Sequence, residues 1–195
     1  MTPDKYICAN AGDSRVILSK MDGSVVPLSE DHKPDNPGEL ARIEAGGGYV
    51  AEGRVCGNLS LSRAFGDFHY KQNVKKDYKN QLITVDPEII TVDRKPDEDD
   101  FLVLACDGIW DCLDNEECSQ NLKNNMLKSC DVDKPGVNGA PALNLSKSVA
   151  DMFDEIICED PTVAKTTGIG ADNMTCILVN LSGTDNKQSN ISSTG

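Results

Sequence analysis

Four aspartates stand at turns beside apolar strands, and cation chemistry is what that arrangement offers. Asp107 follows Phe101-Leu-Val-Leu-Ala-Cys106, an unbroken apolar run. A run that short, with acids before it and Asp-Gly after it, reads as a strand covered on both faces. Asp107 then marks the strand end, and Gly108 permits a sharp turn because it lacks the Cβ that forbids positive φ. Asp111 follows one helical turn on and can return to the same place. Asp172 precedes the last strand pattern, Met174 to Leu181, so in an antiparallel pair it would lie beside Asp107. Asp13 lies in Gly12-Asp13-Ser14, where its ordinary role is an Asx-turn to its own backbone. Two carboxylates about 4 Å apart repel by roughly 4 kcal/mol at an effective dielectric of 20. A cluster of them therefore needs a cation or raised pKa values. Oxygen-only ligation favours Mg²⁺ or Mn²⁺ over zinc. Paired ions of this kind can make hydroxide from water and clamp a phosphoryl group during in-line attack. The plain alternative is an Asp-Gly turn that merely closes a core strand.

The elements that must position these acids read as a mixture of strands and helices. Tyr6-Ile-Cys-Ala9, Arg15-Val-Ile-Leu18 and Val25-Val26, with a hairpin signal over Lys20 to Ser24, predict an opening β-meander. Asn36-Pro37-Gly38-Glu39 starts a helix, with Asn36 as cap and Glu39 reaching back as in a capping box. Gly46-Gly-Gly48 ends that helix. Residues 49 to 70 alternate Gly, Arg and short apolar pieces without a period, which suits an irregular segment near a site. Within it Arg63 can hold a phosphate through its planar fork or pair with Asp67. Lys71 to Gln81 reads as an exposed basic loop, and Leu82 to Val92 as strand pieces interrupted by Pro87. Asp114-Asn-Glu-Glu117 caps a helix running to about Leu127, with Cys118, Leu122 and Met126 on one side. Ser129 to Pro141 reads as a loop. Val149, Met152, Phe153, Ile156 and Ile157 form the clearest helical stripe, a core face. Residues 182 to 195 are Ser/Asn/Gly-rich and are expected to be a disordered tail.

Composition narrows the functions. The chain has 195 residues and a net charge of −13, an average that repels nucleic acid and anionic membranes. No apolar stretch approaches 18 residues, the length a membrane span needs, and no signal-peptide core precedes the first strand. The 8 cysteines form no C-x-x-C pair and several lie in apolar runs, so they read as reduced core residues of a cytoplasmic or nuclear protein. His32 and His69 have no ligand partner at zinc spacing.

Several segments together resemble the C-terminal portion of the metal-dependent protein phosphatases of type 2C. They are Ala9-Asn-Ala-Gly-Asp-Ser-Arg15, Asp31-His-Lys-Pro34, Arg42-Ile43 with Gly46-Gly47, and Gly57-Asn-Leu-Ser-Leu-Ser-Arg-Ala-Phe-Gly-Asp67. Pro87-Glu-Ile89, Phe101 to Asp111 and Asp172-Asn-Met-Thr175 complete the set, in the family's order, over roughly residues 5 to 181. The resemblance implies an α/β (α+β) fold, part of an αββα sandwich of two antiparallel sheets with helices outside. Residues 1–181 would be the C-terminal portion of one catalytic domain. It implies a serine/threonine phosphatase acting on phosphorylated proteins, with two Mg²⁺ or Mn²⁺ ions and a metal-activated water as nucleophile. By motif, Asp107 and Asp172 would ligate a core ion. Asp13 and Asp111, with Asp107, match the positions of a further, weaker ion. Residues 45 to 70, Arg63 and Asp67 among them, resemble the flap that influences substrate choice.

The family's N-terminal half, with its Asp-Gly-His-Gly motif and metal-bridging aspartate, has no counterpart in this sequence. The chain by itself is therefore expected to turn over little and to expose apolar sheet surface. A non-catalytic, pseudophosphatase-like binding fragment is the alternative. An aspartyl-phosphate enzyme of the haloacid dehalogenase type needs Asp-x-Asp, and Ile109 stands where its second acid would be.

Overall fold

The structure, a computed structural model, describes residues 1–135 and 141–181; the expected tail lies outside the described residues. The described chain divides into two compact units, one built from Met1–Arg15 and Leu28–Val92, the other from Val16–Pro27 and the residues from Asp93 onward.

The second unit is organised on β7 (Asp99–Ala105), where Phe101, Leu102, Val103 and Ala105 are all buried. β10 (Cys176–Asn180) pairs antiparallel with it, Cys176 opposite Ala105 and Asn180 opposite Phe101. β2 (Arg15–Lys20) lies on the other side, and β3 (Val25–Pro27) joins it as an antiparallel hairpin, giving the order β10-β7-β2-β3. The period-two alternation of a strand sends Phe101, Val103, Ala105 and Ile17 into one core with the helices. α3 (Asn115–Lys128) enters that core through Cys118, Leu122 and Met126. Its start is fixed by a complete capping box between Asp114 and Glu117. α4 (Leu145–Ile156) packs against α3 and β10, with Met152 fully buried. Ser119 of α3 donates to Ser19 of β2 at 2.8 Å, a polar tie inside the interface.

The first unit has a smaller core of Ile43, Val55, Tyr70 and Ile83. α1 (Pro37–Ala45) supplies Ile43 to it. The hairpin β4 (Val50–Ala51) to β5 (Arg54–Val55) turns on Glu52 and Gly53, at φ 52° and 69°. Cys56 and Gly57 repeat the left-handed pair at φ 51° and 72°. A two-residue hairpin demands two such residues, and glycine adopts the conformation without steric cost.

Several expectations change. β1 (Lys5–Asn10) pairs with β6 (Glu88–Asp93) rather than with β2, so only the second half of the opening meander exists. Asn36 makes no side-chain cap; its amide donates to the Asp31 carbonyl, and Glu39 is drawn inward instead of back to the cap. Gln81, placed in an exposed loop by composition, is buried and donates to the carbonyls of Asn73 and Lys76. The Ser129–Pro141 region contains an antiparallel pair, β8 (Asp131–Pro135) with β9 (Pro141–Ala142). A further helix, α5 (Pro161–Thr167), carries signals the apolar pattern hid: Asp160 as cap, Pro161 at its start and Gly168 after its end.

The core of the second unit predicts a contrast on one sheet-and-helix layer. Met152→Ala, at a site with no exposure, should cost about 2–5 kcal/mol in urea unfolding. Ile177→Ala, 58 % exposed on β10, should cost less than about 1 kcal/mol.

Candidate functional site

The β7/β10 register delivers two of the expected acids to the same edge. The last pair of the ladder is Cys176 opposite Ala105. Beyond it the Cys106 amide donates to the Thr175 carbonyl at 3.2 Å, and the Cys106 thiol lies 3.3 Å from the Asn173 carbonyl. Asp107 opens a single helical turn, α2 (Asp107–Trp110), while Asp172 stands just before Asn173 in the partner segment. The segments are so close that a Cβ on Gly108 would come within 2.4 Å of the Asn173 carbonyl oxygen. Gly108 is thus required for close approach and not for positive φ, a correction to its expected role. Trp110 closes the turn from below, its indole donating to the Ala105 carbonyl at 2.7 Å.

Asp111 follows α2, its amide donating to the Asp107 carbonyl at 2.8 Å. Residues four apart on a helical turn share a face, so Asp111 and Asp107 occupy neighbouring positions. Asp107 is half-buried, and Asp111 and Asp172 are exposed. These donors are all carboxylate oxygens, a chemistry that suits Mg²⁺ or Mn²⁺. Among the described residues no three His, Cys, Asp or Glu side chains gather closely enough to hold a metal ion.

Asp13 belongs to the first unit and is buried there. Its carboxylate accepts from the Lys33 ammonium at 2.6 Å, in place of the Asx-turn expected from its Gly-Asp-Ser setting. The same corner is held by Arg15, whose guanidinium donates to both carboxylate oxygens of Asp31 at 2.9 and 2.8 Å. Asn10 donates to the carbonyls of Gly12 and Glu30. His32 is buried beside it, its Nε2 3.6 Å from Glu88. Burial, reinforced by the Arg63 charge, holds the His32 imidazole below its usual pKa against the pull of Glu39 and Glu88.

Arg63 does not pair with Asp67. Its fork donates to Glu39 at 3.1 and 2.6 Å, and a further nitrogen reaches the Asp86 carbonyl at 3.0 Å. Glu39 also accepts from Arg42 at 2.6 Å and from the buried Ser62 hydroxyl. Burial alone would push the Glu39 carboxyl up, but the bonds from Arg63, Ser62 and Arg42 outweigh it and leave the pKa at about 2. Asp67 is in the left-handed region at φ 48°. In the sequence Glu39 stands out only as a helix-start acid; the two arginines that reclaim it come from outside that local pattern.

With this geometry in view, comparison with known proteins decides the family. Residues 1–135 match the family described as Protein phosphatase 2C. The chain belongs to that family. It is 42 % identical over 178 residues to Protein phosphatase 2C homolog 3 of Schizosaccharomyces pombe, covering 91 % of this chain and 38 % of that protein. It is 42 % identical over 176 residues to Protein phosphatase 2C homolog 2 of Saccharomyces cerevisiae, covering 90 % of this chain and 34 % of that one. Among solved structures, a phosphatase from a pathogenic strain of Toxoplasma gondii superposes with a TM-score of 0.71 at 29 % identity, over 92 % of this chain and 48 % of that chain. The chain thus spans about a third to a half of the length of these relatives. The mixed α/β class with antiparallel sheets and helices is the family's, and so is the hydrolase assignment. Among the described residues no helix is long and apolar enough to cross a membrane.

Two outcomes follow for phosphatase 2C residues of this chain. Gly108→Ala forces a Cβ against backbone 2.4 Å away, so the β7/β10 ends must part, and unfolding stability should fall by about 1–3 kcal/mol. Glu39→Gln leaves two guanidiniums facing a neutral amide and should cost about 3 kcal/mol at neutral pH. The folded pKa of Glu39 is depressed from 4.5 to about 2, so its contribution is present above pH 4.5 and is lost as pH falls through about 2. The variant should lose that part of the acid dependence in urea titrations between those limits.

Proposed function

We propose that this chain is the C-terminal portion, residues 1–181, of one catalytic domain of a protein serine/threonine phosphatase that uses Mg²⁺ or Mn²⁺. The observation that carries the reading is the side-by-side placement of the Asp107 and Asp172 segments at one edge of the β7/β10 pair. Asp107 and Asp172 would hold a core ion, and Asp111 a further one. Asp13 joins that set on its motif. Bound ions supply an acidic water and positive charge for phosphoryl oxygens. The protein's own part is to hold the carboxylates on a sheet end that cannot shift, so that little reorganisation is needed when phosphate arrives. Arg63 and Asp67 lie in the flap-like segment and would shape access for phosphoprotein substrates. The cysteines, all 8 free, suit the reducing cytoplasm or nucleus.

The chain alone would turn over little. The relatives it matches are more than twice as long, and among the described residues no three His, Cys, Asp or Glu side chains gather closely enough to hold a metal ion. The two-stranded β1-β6 sheet leaves Ile7 51 % and Ile89 63 % exposed. A two-stranded sheet is marginal in water without further strands or a covering layer. The second reading, a non-catalytic binding fragment, rests on the same incompleteness.

Calorimetric titration with Mn²⁺ separates the readings. The purified chain should bind Mn²⁺, and Asp107→Asn and Asp172→Asn should each abolish the heat while far-UV circular dichroism is unchanged. Turnover of p-nitrophenyl phosphate should stay near background. Vigorous Mn²⁺-dependent turnover by the 195-residue chain would overturn the fragment reading. Absence of Mn²⁺ binding would favour the non-catalytic one.

A further inference from the structure

Two cysteines of the second unit, far apart in the chain, meet beside α2. Cys112 stands just past α2, its thiol donating to the Gly108 carbonyl at 3.4 Å. Cys158 lies in the connection between α4 and α5, its thiol donating to the Asp160 carbonyl at 3.4 Å. Gly170, which is buried, joins them. Its carbonyl accepts from the Cys158 amide at 2.9 Å, and its amide donates to the Cys112 sulfur. A Cβ on Gly170 would lie 3.1 Å from the Cβ of Cys158 and only 2.6 Å from the Ile156 carbonyl oxygen, so no side chain can occupy this position. The two sulfurs are close enough for a charge on one to act on the other. Both cysteines are free and half-buried, which leaves them open to a small oxidant.

A second pair of neighbouring thiols, Cys106 and Cys176, is built differently. Cys176 pairs with Ala105, and Cys106 continues the extended chain by one residue. Successive residues of a strand point to opposite faces, so the Cys106 and Cys176 side chains leave the ladder on opposite sides. The Cys106 sulfur is also engaged by the Thr175 amide at 3.2 Å and the Asn173 carbonyl at 3.3 Å. Cys112 and Cys158 face no such barrier.

We propose that Cys112 and Cys158 form a reversible oxidation site, a dithiol that hydrogen peroxide converts to a disulfide. Cys158 reacts first, because its sulfur lies in an exposed contact and that of Cys112 in a part-buried one. Its thiolate attacks a peroxide oxygen, the O–O bond breaks, and hydroxide leaves and is protonated to water. The sulfur is now a sulfenic acid. The Cys112 sulfur attacks it, the S–O bond breaks, and the hydroxyl leaves as water with the Cys112 proton. Two thiols and one peroxide thus give one disulfide and two waters, and a dithiol reductant reverses the change. The bond ties the end of α2 to the connection after α4. This goes beyond the phosphatase reading and needs neither metal nor turnover.

Peptide mapping of the full chain tests it. The folded protein is treated with hydrogen peroxide, remaining thiols are blocked with N-ethylmaleimide, and unreduced digests are read by mass spectrometry. The main cross-link should join Cys112 to Cys158 and disappear with dithiothreitol. Cys112→Ser and Cys158→Ser should each abolish it, and Cys112→Ser should leave a sulfenic acid on Cys158 that dimedone captures. Cys130→Ser should leave the cross-link intact. In the oxidised chain the Cys112 and Leu113 amides, both bonded to the Ile109 carbonyl, should exchange hydrogen at least about threefold more slowly. A main cross-link between other cysteines, oxidation of Cys112 and Cys158 without a bond between them, cross-linking only after unfolding in urea, or unchanged exchange at those amides would each overturn the proposal.

Discussion

The approach of the Asn173 carbonyl to Gly108 governs the candidate site, because no side chain of any kind fits between them. β7 and β10 run in register until Ala105 meets Cys176, and then both chains leave the sheet. One enters the short turn of α2, the other the segment holding Asp172. Cys106 continues the pairing past the last ladder rung, through its amide and its thiol. The segments that carry Asp107 and Asp172 are therefore brought together by backbone, and the core of Phe101, Val103, Ile109 and Met152 supplies the energy that holds the backbone there. Loops would relax away from repulsion between carboxylates. A sheet end backed by a packed core cannot do so without losing that core.

The first unit is held together differently. Its apolar core is small, and much of its order comes from charge. Glu39 accepts from Arg42, Arg63 and Ser62 at once, tying α1 to the chain around residue 62. Desolvating such a group is expensive, and its low pKa shows that the three donors more than offset the expense. An ion network of this kind is directional where hydrophobic burial is not. It sets which strand-like piece lies against α1, and so where the bend over Gly66 and Asp67 emerges. Segments 10–15 and 30–33 are joined in the same manner, through Asp31 with Arg15 and Asp13 with Lys33.

How far the sequence disclosed this depends on the range of the forces involved. β7, α3 and α4 were legible because periodic burial is written locally, in runs such as Phe101–Ala105 and the stripe through Met152. The antiparallel approach of the segments around residues 107 and 172 was legible too, since one acid ends a strand and the other precedes one. The pairing of β1 with β6 was hidden, because apolar alternation names a strand and never its neighbour. Glu39 was misread for a related reason. At a helix start its local option is the cap, and two distant guanidiniums outbid that option. Gly108 was assigned the right importance for the wrong cause, since a bare Asp-Gly signals a turn but says nothing about another chain passing within contact distance. Asp13 followed the same rule, with Lys33 replacing the local turn.

The two units place their turns differently. In the second unit Asp107 opens a tight helical turn at a sheet end, and Asp172 stands before the strand paired with it. In the first unit the left-handed bend at Gly66-Asp67 stands between two exposed phenylalanines, Phe65 and Phe68. Tyr70 is buried in the core of Ile43, Val55 and Ile83, while Phe65 and Phe68 stay exposed.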